Sequence, residues 1–443
     1  MSKKRSEELL EWDEKHMLHS LGVVGKNAGF IFEHSEGIKV KDADGKECID
    51  LASQLVNVNL GHNRKDVIEA AIAQMNKTMF ISLLRGYASV PSIEYGQRLG
   101  EVVPKGLDHF LFTMTGADSN DCAFKIANLY YKVKNERRYK IISLFNSYHG
   151  TSRGVGGASG VGKGRMAECP PCGEHIHIPN YFCYRCPFHK EYPSCGIECA
   201  NYLDYVIDNE GADTIAAFIA EPIQGAGGFI SPPPEYFPTV REICSKHGVL
   251  FIADEVMTGF CRTGKMFGIE HWDVIPDIMT MSKGITSAYL PFGAVAISEK
   301  IFQTLNGQFF AVGSSESGNP ICCAIASKCL EIYKEEKIAE HVTALGHHLR
   351  ERLEKDFLPL PHVGSISGLG LQVGLDIVVD KDTKAIPGPD FPDLLQQRGI
   401  EEGLYLRVLT NRLCIGPPLI ITEKEMDEAL DRLYNLLAKV KVV

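Results

Sequence analysis

Nowhere in its 443 residues does the chain approach the roughly 18 consecutive apolar residues that a membrane-spanning helix needs. Its first residues, MSKKRSEELLEWDEKH, are charged and carry no apolar core, so they do not read as a secretory signal. Positive charge is also in short supply. Forty-six Lys and Arg stand against 56 Asp and Glu, a net charge of −10. That balance argues against nucleic acid and anionic membranes as partners, and leaves room for a local anion site. Internal repeats and low-complexity segments are absent. Cysteine, by contrast, is plentiful at 14 residues, and without a signal segment the expectation is reduced thiols in the cytoplasm. Apolar content of 44% is ordinary for a soluble protein, and the length predicts two or three lobes.

The run from Val249 to Gly284 organises the rest. Val249 to Ala253 is an unbroken apolar strand, which suits a parallel sheet covered on both faces. It ends in Asp254 and Glu255, and strand C-termini are where α/β sheets place their sites. A second apolar segment, Ile275 to Met281, delivers Ser282-Lys283-Gly284. A lysine flanked by small residues just past a short strand suggests an amine held beside a cofactor. Burial there would depress its pKa, as amine chemistry with a carbonyl requires. Upstream, LFTMTGADS (Leu111 to Ser119) predicts a strand, a glycine turn and a helix start, whose free backbone N–H groups make an anion site. Taken alone, such a glycine is simply a turn. Tyr148, at the end of the strand Lys140 to Phe145, has the shape to stack on a flat cofactor. Strands alternate with helices from Phe110 to Met281, as a mostly parallel sheet requires. Around it the sequence predicts a helix from Ser6 to about Leu21, a hairpin turning at Asp42-Ala43-Asp44-Gly45, and a closing amphipathic helix from Glu423 to Val440.

These motifs in this order, DEVMTGFCRTG followed by SKG above all, resemble the class III or ω-amino acid aminotransferases, pyridoxal phosphate enzymes of fold type I. The resemblance runs from about Trp12 to the last helix. It implies an α/β fold with a mostly parallel seven-stranded sheet in a large domain (66–320). It also implies a smaller α+β domain built from N- and C-terminal segments (1–65 and 321–443), with a cysteine-rich insertion at 165–200. By resemblance Lys283 is the Schiff-base lysine and proton shuttle, and Asp254 pairs with the pyridinium nitrogen. Gly116 and Ala117 would hold the phosphate, with Ser315 supplied by a neighbouring subunit. Tyr148 and Val256 would sandwich the ring, His149 would adjoin it, and Glu221 would lie over it. The partners implied are an amine donor, a 2-oxo acid and a second copy of the chain, in a homodimer or a dimer of dimers with shared active sites.

The chain departs from the family at several positions. The phosphate motif lacks its second serine hydroxyl, at Ala117. Glu316 stands where a tyrosine is usual, and Ser367 where an arginine is usual. Cys414 occupies the arginine position of members acting on ornithine or 4-aminobutyrate. Arg407 instead matches the arginine of amine:pyruvate members, with Arg412 as its competitor for a substrate carboxylate, and Leu55 adjoins the expected substrate channel. Taurine, β-alanine, a diamine and a β-aminoacyl thioester all stay open as donors. A racemase, aminomutase or amine lyase on the same site is the alternative reading. Cys169, Cys172, Cys183, Cys186, Cys195 and Cys199 include two CxxC pairs, a pattern that fits either zinc or an insertion with buried thiols. The resemblance implies that catalysis calls for no metal.

Overall fold

The computed structural model describes residues 5–26, 29–161 and 174–443. Near the N-terminus β1 (Phe32–Glu36), β2 (Lys39–Asp42) and β3 (Glu47–Asp50) form an antiparallel meander. Asp42 sets its second turn. One carboxylate oxygen accepts the amides of Asp44 at 3.0 Å and Lys46 at 2.7 Å, and Gly45 takes φ +90°.

The large sheet contains β4 (His109–Thr113), β5 (Lys140–Leu144), β6 (His175–Ile178), β7 (Ile215–Ala220), β8 (Leu250–Asp254), β9 (Ile278–Met281) and β10 (Gly293–Ile297). Their order is β4-β10-β9-β8-β7-β5-β6. Only β10 runs against its neighbours, so the sheet is mostly parallel, as expected. Every residue of β7 and β8 is buried, because helices cover both faces. The two-residue period sorts the side chains. Ala217, Ile219 and Ile252 pack against Ala123, Ile126 and Ala127 of the helix Gly116–Val133. Phe218 and Phe251 point the other way, toward Phe237 and Val240 of the helix Tyr236–His247. Each fully buried phenylalanine stabilises by about 1.5–3 kcal/mol.

The chain closes with β11 (Val363–Leu369), β12 (Gln372–Ile377), β13 (Leu404–Tyr405), β14 (Arg407–Leu409) and β15 (Arg412–Ile415). Four of these form a sheet ordered β11-β12-β15-β14, while β13 pairs in parallel with β3. The last helix, Glu423–Lys439, starts on a reciprocal cap. Thr422 Oγ1 accepts the Glu425 amide, and the Glu425 carboxylate accepts the Thr422 amide.

Two boundaries differ from the sequence expectation. The first helix stops at His16, and Leu18 and Leu21 are exposed, with Leu21 at φ +59°. β9 begins at Ile278 rather than Ile275. Pro276 has no amide to give a ladder, and the Asp277 carboxylate turns inward to accept the Phe251 amide at 2.8 Å and Arg241 at 2.7 Å. Among the described residues no helix is long and apolar enough to cross a membrane.

Candidate active site

The C-terminal ends of β5, β7, β8 and β9 and the start of the helix Gly116–Val133 surround a cavity of about 230 Å³. Its lining includes Gly116, Ala117, Tyr148, His149, Glu221, Asp254, Val256 and Lys283. These are the expected cofactor residues with the exception of Ser315, which is exposed on a loop outside the cavity.

At the helix start, Thr115 caps the Asp118 amide at 3.2 Å, and the Asp118 side chain accepts the Met114 amide. That leaves the amides of Gly116 and Ala117 at the positive end of the helix, where an anion is favoured. A side chain at 116 would close this cup, since an added Cβ would lie 2.6 Å from Val256 Cγ1.

Asp254 is almost fully buried at the end of β8. One of its oxygens accepts from the Val256 amide at 3.0 Å; the other accepts from His149 Nδ1 at 2.7 Å and Asn120 Nδ2 at 2.9 Å. Across the cavity Glu221 accepts the amides of Tyr148 at 3.1 Å and Gly225 at 2.9 Å. Burial nevertheless pushes its carboxyl up to about 7. Lys283 follows β9 with φ +45°, in a turn steadied by Ser282 Oγ donating to the Phe292 carbonyl. It is half-buried, because it opens onto the cavity it lines. Desolvation first, then Arg407, pull its ammonium down to about 8, so free amine is available near neutral pH.

The two candidate carboxylate holders differ. Arg412 is consumed by structure. It donates to the Gly228 carbonyl at 2.8 Å, Asp376 at 3.2 Å and Ser367 Oγ at 2.5 Å, and its guanidinium lies over the Phe182 ring. Arg185 of the CYRC segment shares Asp376 with it at 2.6 Å. Arg407 Nε, by contrast, is buried without a hydrogen-bond partner. Near it Val56, Phe229, Met257 and Cys414 form a small apolar cluster, and Met257 also lines the cavity. Leu55 is exposed and does not reach the cavity.

Sequence reasoning passed over Asn120 and Thr280, although both contact the Asp254 network. Helical spacing puts Asn120, four residues past Gly116, on the same helix face, but what it faces is set by the fold, as is the ladder pairing of Thr280 with Asp254.

Cys169 and Cys172 lie outside the described residues. Cys183, Cys186, Cys195 and Cys199 line one small void of about 20 Å³. Among the described residues no three of these thiols come close enough together to share a metal ion. Burial pushes Cys199 up to about 12, which favours the protonated thiol.

A family model described as aminotransferase class-III matches residues 23–437. The chain is 33% identical over 413 residues to a putrescine–pyruvate aminotransferase of Pseudomonas aeruginosa, covering 90% of this chain and 88% of that one. It is 34% identical over 411 residues to a leucine/methionine racemase of Thermococcus litoralis, covering 92% and 90%. A crystal structure of a thermostable (S)-enantioselective omega-transaminase from Thermomicrobium roseum matches it with a TM-score of 0.92 at 37% identity, covering 99% and 98%.

Proposed function

The chain belongs to the class-III aminotransferases, pyridoxal phosphate enzymes of fold type I, and from that premise we propose how its own residues carry amino groups from an ω-amine donor to pyruvate or another 2-oxo acid. The observation that carries the reading is Lys283, an amine lowered to about 8 in the same cavity as the Asp254 carboxylate and an uncapped helix start.

The cavity suits the cofactor. The amides of Gly116 and Ala117 would hold its phosphate, Tyr148 and Val256 would bound its flat ring, and Asp254 would face the ring nitrogen. When bound, pyridoxal phosphate supplies an aldehyde and an electron sink. Lys283 is both its anchor and the base that moves a proton at Nζ. Asp254 would be the acceptor for the ring nitrogen. Glu221 would lie over the ring, with a carboxyl near 7 that can carry a proton.

The donor we propose is an ω-amine such as a diamine, without a fixed carboxylate requirement. Two features favour it. Cys414 puts no cation at its position, and Arg412 is locked to Asp376, which leaves Arg407, of the two candidate arginines, to meet a carboxylate and withdraw from an apolar or cationic group. The putrescine–pyruvate relative points the same way.

We further propose a homodimer, with Ser315 of a second copy completing the phosphate site. Ile72, Met75, Met79, Phe80 and Tyr87 are exposed over a short span, and an apolar surface of that kind is covered in an obligate dimer. The described cysteines are all unpaired, in keeping with a cytoplasmic setting.

The racemase relative keeps a second outcome in view. The two are separated by half-reactions on the purified holoenzyme. Putrescine should bleach the cofactor's absorbance and pyruvate should restore it. Inversion of an amino acid without any 2-oxo acid would overturn the transferase reading, and a chain that takes up no pyridoxal phosphate would overturn both.

A further inference from the structure

Asp254 has more partners than a counter-ion needs, and their arrangement is directional. An ionised carboxylate only accepts, with about two lone pairs on each oxygen. Oδ2 is filled by His149 Nδ1 and Asn120 Nδ2, and Oδ1 is half filled by the Val256 amide. One acceptor position is left, on Oδ1 of a residue that lines the cavity.

The Asn120 amide is itself held in one orientation. Its two hydrogens go to the His149 carbonyl at 2.8 Å and to Asp254 Oδ2 at 2.9 Å. Its oxygen accepts from Thr280 Oγ1 at 2.7 Å. A flipped amide would set oxygen against two acceptors. Asn120 and Thr280 are almost completely buried, so no solvent competes for these bonds. The relay ties the helix that cups the phosphate, the ends of β8 and β9, and the turn after β5 to one carboxylate.

We propose that Asn120, clamped by Thr280, is a positioning residue that fixes the plane of Asp254 and reserves its last acceptor position for the ring nitrogen of the cofactor. The proposal rests on the reading of the cavity as the pyridoxal phosphate site. Besides its three donors, Asp254 faces Lys283 and Glu221, whose charges are unaltered in the variants below.

The test measures cofactor release by dialysis and the pH midpoint of the cofactor's absorbance in the holoenzyme. Asn120→Ala removes a charge-assisted donor, so release should quicken by roughly ten- to a hundred-fold and the midpoint should move. Asn120→Asp keeps the shape but sets a second carboxylate 2.9 Å from the first, and should be worse than alanine. Thr280→Val keeps the shape without the hydroxyl and should shift both readouts the same way by less, while Thr280→Ser restores them. If Asn120→Ala does not fold, the Thr280→Val and Thr280→Ser pair decides. Release and midpoint within twofold of the parent in every variant would overturn the proposal. A parent chain that binds no pyridoxal phosphate would instead overturn the site reading beneath it.

Discussion

The lowered amine of Lys283 gives a measurable pH dependence before any substrate is added. On the proposed assignment, the ammonium of the apoenzyme must lose a proton before nitrogen can attack the cofactor's aldehyde. With a midpoint of about 8 rather than 10.5, roughly one-tenth of the lysine is free at pH 7, about 300 times more than an ordinary lysine would offer. Stopped-flow mixing of apoenzyme with pyridoxal phosphate should therefore show capture rates that rise with pH and level off just above 8. Arg407 is the largest charge contribution to the depression after burial, so Arg407→Leu should move the midpoint upward and slow capture at pH 7, by a factor bounded by that 300. Stability should follow the same group. The folded apoenzyme disfavours the charged lysine, so the penalty is complete below about 8, where both states are protonated. It is relieved as pH rises toward 10.5, by about 3 kcal/mol at most. A parent midpoint near 10, or an unmoved midpoint in Arg407→Leu, would refute the reasoning.

Arg407→Ala should slow the pyruvate half-reaction more than the donor half-reaction, by the roughly 2–5 kcal/mol of a buried charge-assisted pair, and equal slowing in single turnovers would make it structural. Gly116→Ala should weaken cofactor binding while the fold survives, because its Cβ would sit 2.6 Å from Val256 Cγ1; adding Val256→Ala should restore affinity in a dialysis assay. Asp376→Ala leaves Arg412 buried and unpaired, so thermal or denaturant unfolding should show a loss of about 3–5 kcal/mol, and a loss under 1 kcal/mol would mean Gly228 and Ser367 suffice.

What the sequence revealed was whatever depends on local order. The apolar runs of β7 and β8 and the carboxylate at the end of β8 follow from periodicity and strand ends. The glycine at a helix start and the lysine after β9 likewise follow from short-range pattern. The fate of Arg412 was not visible. It depends on the β12–β15 register that sets Asp376 opposite it, and on Arg185 reaching Asp376 from 191 positions earlier in the chain. Asn120 escaped notice because an asparagine in a helix acquires meaning only from what faces it, here residues from two strand ends. Leu55 sits in an irregular turn where Gln54 takes φ +58°, and such a backbone sends side chains where no helix or strand pattern foretells.

The pairing of β13 with β3 has a consequence for how the molecule is made. The Ile49 amide bonds to the Gly403 carbonyl and the Leu51 amide to Tyr405, across nearly the whole chain. At about 5–20 residues per second, a ribosome needs on the order of half a minute to bring these partners together. Everything that lines the cofactor cavity, from Thr115 to Lys283, has emerged by then, while Arg407 follows β13 directly. During synthesis the strand ends and the helix start around the cavity are thus all available before β13 can close on β3.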